Sequence, residues 1–225
     1  MIVEIDNVEL SYGITKILNG VYIQSETGKV TGILGRNGCG KTSLLKILFG
    51  SLNAKYATIR VNHTYQKKKL YKTNLVAYLP QHQLLPDNIK LKKVFSLFEV
   101  NWKDFTDVFE SFEKYEAVKV NAVSSGELRV IETYLILMSR KKIILLDEPF
   151  SFIAPLYIKK FKQLIEIIKQ ESVIIITDHS YRDILEVSET IYFIKNGATK
   201  LIKTKQDLER EGYININNIP FSELL

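Results

Sequence analysis

Apolar and polar residues alternate over the first thirty positions: Ile2, Val3, Ile5, Val8 and Leu10, then Ile17, Leu18, Val21 and Ile23, interrupted by Gly13, Gly20 and Gly28. A period of two bounded by glycine predicts short antiparallel strands. Val30 to Leu34 is a compact β-rich run that stops at Gly35, and beyond a glycine-dense stretch Ser43 to Phe49 reads as a helix. Residues 55–80 predict more β-structure, with a lysine-rich turn between Val61 and Leu75. From about Ile89 to Tyr115 the period changes. Phe95, Leu97, Phe98, Phe105, Val108, Phe109 and Phe112 recur at helical intervals and predict a small helical insertion. Downstream the pattern predicts a helix from Gly126 to Ser139, a strand from Ile143 to Leu146, a helix over 157–169, a strand over 173–177, a helix near 181–187 and a strand over 191–195. Strands alternating with helices imply an α/β fold with a parallel sheet covered on both faces. No repeat, low-complexity segment or Pro/Ser-rich linker interrupts the chain, so any subdomains are expected to pack together.

The 225 residues carry 31 Lys and Arg against 25 Asp and Glu, a net charge of +6, and 46% of them are apolar. Such a composition fits one globular domain with at most a small appended subdomain. It excludes a disordered, collagen-like or disulfide-stapled chain. Cys39 is the sole cysteine, so no intramolecular disulfide can form, which fits a reducing compartment. Met1 to Asp6 has neither the basic start nor the long apolar run of a signal peptide. The longest apolar runs, Ile143 to Leu146 and Val173 to Ile176, fall far short of the ~20 residues a membrane-spanning helix needs. Any membrane role is therefore expected from outside the bilayer. The block Lys67-Lys68-Lys69 is short and has no interleaved aromatic stripe, so it reads as a solvated loop rather than a surface for nucleic acid or anionic lipid.

Gly35-Arg36-Asn37-Gly38-Cys39-Gly40-Lys41-Thr42 has the spacing G-x-x-x-x-G-K-[ST] between a strand and a helix. Glycines let a loop curl so that successive N–H groups point at phosphate oxygens, and the following helix adds its positive end. Lys41 is placed to neutralise the β- and γ-phosphates and the Thr42 hydroxyl to ligate Mg²⁺. Cys39 is expected to contribute only its backbone. In Lys142-Ile143-Ile144-Leu145-Leu146-Asp147-Glu148-Pro149 an apolar strand delivers two adjacent carboxylates at its end. Asp147 is suited to hold hydrated Mg²⁺ and Glu148 to accept the proton of an attacking water.

With Val123-Ser124-Ser125-Gly126-Glu127 between them, these two elements resemble the ATPase domain of the ATP-binding cassette (ABC) family, whose intervening signature is Leu-Ser-Gly-Gly-Gln. The likeness covers roughly residues 2–200. It implies a single ABC-type domain: a P-loop NTPase (RecA-like) core with a mainly parallel sheet and an N-terminal antiparallel β-subdomain over about 1–81 and 140–205, an inserted α-helical subdomain over about 82–139, and a tail over about 206–225. It also implies ATP as the nucleotide, held by Gly35 to Thr42 and by Ser43, with Mg²⁺ at Thr42, Gln81 and Asp147. Tyr12 stands where the family stacks an aromatic ring on adenine. Gln81, in Tyr78-Leu79-Pro80-Gln81, resembles the glutamine that touches Mg²⁺ and the attacking water, and His179 resembles the histidine that hydrogen-bonds the γ-phosphate. Lys41, Gln81, Glu148 and His179 form the implied catalytic set. Ser124, Ser125, Gly126 and Glu127 would face the γ-phosphate bound to a second subunit, so ATP would sit between two chains.

Two departures stand out. Ser125 adds a side chain where the signature brings backbone to phosphate, whereas Glu127 for Gln is a common family variant. After Glu148 the family continues Pro-Thr-Ser-Ala-Leu-Asp, but here Pro149-Phe150-Ser151-Phe152-Ile153-Ala154 puts Ala154 at the aspartate, which bears on communication between the two sites.

The function implied is the ATP-hydrolysing subunit of an ABC transporter, peripheral on the cytoplasmic face of the membrane. Its partners would be a membrane-spanning subunit on another chain and a second ATPase subunit, with a homodimer expected. Closure would reach the membrane chain through a groove beside Gln81 and the insertion over 89–115, one or two of whose Phe rings would line the docking surface. Two other readings are a soluble ABC ATPase acting on nucleic acid or ribosomes and a nucleotide-binding regulatory module with little turnover. The first usually brings a long coiled coil or a second cassette, which this chain lacks, so nucleic acid is not an expected partner. The second is motivated by Ser125 and Ala154. The tail from Gln206 to Leu225, with Asn215, Asn217 and Asn218, carries no readable motif.

Overall fold

The computed structural model describes residues 1–214; Asn215, Asn217, Asn218 and the rest of the tail from 215 lie outside the described residues. Strands β1 (Ile2–Tyr12), β2 (Thr15–Glu26) and β3 (Val30–Gly35) are followed by helix α1 (Lys41–Phe49), then β4 (Tyr56–Val61), β5 (Thr64–Tyr65) and β6 (Val76–Leu79). Helices α2 (Leu91–Leu97), α3 (Trp102–Val108) and α4 (Ser125–Leu137) lead to β7 (Ile143–Asp147), α5 (Pro155–Ile168), β8 (Val173–Thr177), α6 (Tyr181–Val187), β9 (Thr190–Lys195), β10 (Ala198–Ile202) and α7 (Lys205–Arg210).

The strands form an antiparallel sheet in the order β2-β1-β4-β5 and a second sheet in the order β10-β9-β3-β8-β7-β6. In the second, neighbours from β9 to β6 run parallel and only β10 is antiparallel. Residues 55–80 thus serve two sheets: β4 and β5 complete the antiparallel one, and β6 forms an edge of the other.

Alternation along the parallel strands explains their unbroken apolar runs. Ile143, Leu145, Val173 and Ile175 face a core shared with α1 and the antiparallel sheet. Their neighbours Ile144, Leu146, Ile174 and Ile176 face a second core with α4, α5 and α6. A strand buried on both faces needs no polar period.

The predicted helical insertion exists as α2, α3 and a 3-10 turn over Glu110–Tyr115. Most of its phenylalanine rings are core. Phe95, Phe105, Phe109 and Phe112 are fully buried and stack with one another, with Tyr134 of α4 and with Phe161 of α5, and only Phe98 stays partly exposed. Trp102 meets Phe95 edge-on at 4.7 Å and lies 5.4 Å from Phe105. The segment over 82–139 therefore shares one continuous core with the sheet.

Two elements go beyond the predicted pattern. The β9–β10 hairpin turns at Asn196-Gly197, both with positive φ (52° and 80°), the strongest short-range hairpin signal in a sequence. Helix α7 occupies the start of the supposed tail and is nucleated by a capping box between Thr204 and Asp207. Lys67, Lys68 and Lys69 are exposed in a loop, as predicted.

Candidate nucleotide-binding and hydrolysis site

The glycine loop joins β3 to α1 at the carboxyl end of the parallel strands. Gly40 is the N-cap of α1 at φ 107°, and a Cβ there would lie 2.7 Å from the Leu18 side chain, so only glycine fits. With no side-chain cap and no acid in the first turn, the first N–H groups of α1 are left for an external anion. Lys41 Nζ donates to the carbonyls of Gly35 at 2.7 Å and Arg36 at 3.4 Å, inside the loop. Arg36 turns outward and donates to the Gly212 carbonyl at 3.1 Å. The Cys39 thiol packs under the loop beside Gly35, and burial pushes its pKa up, which opposes thiolate chemistry.

Strand β7 brings Asp147 directly beneath α1. The Thr42 hydroxyl donates to Asp147 Oδ1 at 3.1 Å and the Tyr78 hydroxyl to Oδ2 at 3.0 Å. Burial raises the Asp147 pKa, and the two hydroxyl donors oppose it only in part. The Tyr78 phenol is held far above its ordinary value, by burial first and the Asp147 charge second, so it remains a donor. Thr42 and Asp147 supply the hard oxygen ligands Mg²⁺ prefers, while no group of three or more His, Cys, Asp or Glu among the described residues could cage an ion alone. One or two protein oxygens completed by water and substrate phosphates is the usual protein site for that ion, so the pair fits Mg²⁺ in company with a nucleotide.

Glu148 follows with φ 57°, a left-handed conformation that costs a side-chain-bearing residue about 1–3 kcal/mol. Its amide donates to the Thr177 carbonyl at 2.7 Å. Both carboxylate oxygens are engaged: Gln81 Nε2 donates to Oε2 at 3.0 Å, and His179 Nε2 lies 2.9 Å from Oε1. The Ser151 hydroxyl also reaches Oε2, at 3.4 Å. Gln81 and His179, expected to meet metal and phosphate, here meet the carboxylate between them.

Tyr12, Asn37, Gly38, Gly40, Lys41, Thr42, Ser43, Gln81, Glu148 and His179 line one open cavity of ≈ 510 Å³, with Tyr12 55% exposed. Its volume is of the size that holds a small-molecule ligand. A second cavity of ≈ 320 Å³, lined by Ser125 and Phe152 among others, shares Gln81, Glu148 and His179 with the first as a common wall.

Within one chain Ser124 to Glu127, at the start of the signature helix, do not line the cavity at the glycine loop. Ser124 caps α4, its hydroxyl donating to Glu127 Oε2 at 2.6 Å while its backbone amide reaches the same oxygen at 3.2 Å, and Tyr115 donates to Glu127 Oε1 at 2.7 Å. Glu127 is thus a capping residue. Gly126 is favoured on steric grounds, because a Cβ would lie 2.6 Å from the Phe152 carbonyl oxygen and force a shift. Ser125 is the first helical residue.

Sequence reasoning missed Tyr78, Arg129 and Glu132. Tyr78 was visible only as part of the strand before Pro80. Arg129 and Glu132 are charges on a helix whose neighbours Val130, Ile131 and Tyr134 are buried, a pattern that signals a buried ion pair.

Residues 18–151 match the family described as ABC transporter. The high-affinity branched-chain amino acid transport ATP-binding protein BraG of Pseudomonas aeruginosa is 28% identical over 216 residues, covering 85% of this chain and 88% of that protein. The lipopolysaccharide export system ATP-binding protein LptB of Haemophilus influenzae is 26% identical over 221 residues, covering 88% of each. Among solved structures, the ATP-binding subunit of an ABC transporter superposes with a TM-score of 0.79 at 18% identity, covering 95% of this chain and 94% of that one. An ATP-bound bacterial Atm1-family ABC exporter gives 0.80 at 17% identity over 94% of this chain and 40% of the exporter. These structural likenesses establish the architecture, a P-loop NTPase core with an antiparallel sheet beside a mainly parallel one.

Proposed function

Because the chain belongs to the ABC transporter family, we propose that it is the ATP-binding and ATP-hydrolysing subunit that powers transport through a membrane-spanning partner on a separate chain. The observation that carries this reading is that the neighbours Lys41 and Thr42 line one cavity with Gln81, Glu148 and His179, each from a distant stretch of the sequence, and with Tyr12. BraG and LptB, which match most of the chain, are named for transport. No helix among the described residues is long and apolar enough to cross a membrane, so the transport path is assigned to the partner.

ATP phosphates would rest on the uncapped start of α1 with Lys41 neutralising the β- and γ-groups, and the adenine would stack on Tyr12. A water attacks the γ-phosphorus in line. Its oxygen forms the new P–O bond as the bond to the bridging oxygen breaks, ADP departs with that oxygen, and the water proton passes to Glu148. Gln81 and His179 hold the two carboxylate oxygens and aim the base. Thr42 and Asp147 would hold Mg²⁺, which when bound screens phosphate charge. Ser124 to Glu127 would close over the γ-phosphate of a second copy, since their helix start does not line its own chain's loop cavity. The subunit would work on the cytoplasmic face, where ATP is supplied.

Phosphate release and nucleotide-dependent dimerisation test this reading together. Glu148→Gln should bind ATP like the wild type, lose about 10²–10⁴-fold in turnover and elute as a dimer with ATP and Mg²⁺. Lys41→Ala should lose both binding and turnover. Equal phosphate release by the wild type and both variants refutes the proposal.

A further inference from the structure

Two charged side chains of α4, Arg129 and Glu132, are buried at 7% and 2% exposure and do not line the loop cavity. A guanidinium is costly to bury unless its donors are answered. Those of Arg129 are answered by main-chain carbonyls at the ends of two strands: Nη1 donates to Pro80 at 2.6 Å, and Nη2 to Asp147 and, at 3.0 Å, to Glu148. Glu132 Oε2 lies 3.8 Å from Arg129 Nη1, while its Oε1 accepts from the amides of Leu84 at 2.7 Å and Leu85 at 3.0 Å. The pair therefore grips the chain on both sides of Gln81 and at the carbonyl of the proposed base itself.

We infer that Arg129, braced by Glu132, is a positioning residue for hydrolysis, holding Glu148 and Gln81 in one frame with the helix that Ser124 caps. This rests on the reading of Glu148 as the base. Glu148 has a left-handed backbone, which persists only where its surroundings over-determine it. With the carbonyls of Asp147 and Glu148 tied to Arg129, the carboxylate cannot leave the cavity wall by a peptide rotation. A planar fork reaches carbonyls on two separate strands, whereas an ammonium on a flexible stem cannot reproduce that spread. A displacement of α4 would in turn carry Pro80 and Glu148 with it, so the helix facing a second copy is mechanically joined to the hydrolytic groups of its own chain.

The test compares wild type, Arg129→Lys, Glu132→Gln and Glu148→Gln in the full chain, reading kcat, KM, the affinity for a fluorescent ATP analogue, and thermal unfolding. Arg129→Lys should lower kcat by about a hundredfold, the scale of a small misplacement of reacting groups, with KM and nucleotide affinity within about twofold. Glu132→Gln keeps the acceptor for Leu84 and Leu85 but removes the charge beside Arg129, and should lower kcat by about tenfold. Wild-type kcat in a folded Arg129→Lys protein, with Glu148→Gln inactive, overturns this inference alone, whereas an active Glu148→Gln overturns the base assignment beneath it. A parallel fall of kcat and affinity also overturns it, because that marks general damage. If Arg129→Lys does not unfold cooperatively, Glu132→Gln decides by the same criteria.

Discussion

Asp147 is fully buried, at 0% exposure, yet it would have to carry charge to hold the proposed Mg²⁺. In the unfolded chain its carboxyl titrates in the ordinary range, and in the folded chain burial moves that titration to higher pH. The folded state then binds more protons in the interval between the two values, so this group costs stability as pH rises through it. Asp147→Asn never ionises. It should exceed the wild type at neutral pH, without nucleotide, by about 0.5–2 kcal/mol, seen as a melting temperature higher by about 2–4 °C per kcal/mol. The advantage should shrink in acid, and Mg²⁺-dependent turnover should be lost. Melting curves at neutral and acid pH check this; a variant less stable at neutral pH would show that the Thr42 and Tyr78 hydrogen bonds outweigh desolvation. The glycine loop and the Asp147-Glu148 pair were legible in the sequence because their chemistry sits in contiguous residues. Tyr78 and Arg129 were not, since Tyr78 acts on a residue 69 positions away and Arg129 on Pro80, 49 positions away.

Among the elements, α4 shows how a side chain that one position accommodates is resisted at the next. Ser125 opens the helix and faces the smaller cavity, whereas Gly126 lies against the turn at Phe152, a residue 90% exposed at φ 63°. Replacing Gly126 by Ala gains at most about 1 kcal/mol of helix propensity. Against this, a methyl would stand 2.6 Å from a backbone oxygen that cannot rotate aside, and such overpacking costs about 1–3 kcal/mol. The second effect should win: Gly126→Ala is expected to unfold at lower denaturant than wild type, with an unchanged slope, and a midpoint at or above wild type would refute the close approach. Strands buried on both faces and the phenylalanine-rich helices were readable from periodicity, since core position dictates it. The edge strand β10, with Thr199 partly exposed and Lys200 and Leu201 exposed, carries little such signal, and its Asn196-Gly197 turn was the clue that remained.

At the scale of the whole molecule, two cores on opposite faces of one sheet hold the loop and the carboxylates in register. The helical segment belongs to the larger core through its rings, a merger that sequence boundaries could not reveal because it depends on which side of each helix meets Tyr134 and Phe161. Trp102, set between Phe95 and Phe105, is the only tryptophan in the chain. The protein thereby carries an intrinsic optical reporter confined to that segment. Adding ATP and Mg²⁺ to Glu148→Gln should shift or quench the indole emission if nucleotide-driven closure strains the ring cluster, and a spectrum identical with and without nucleotide would mean the cluster travels as a rigid body.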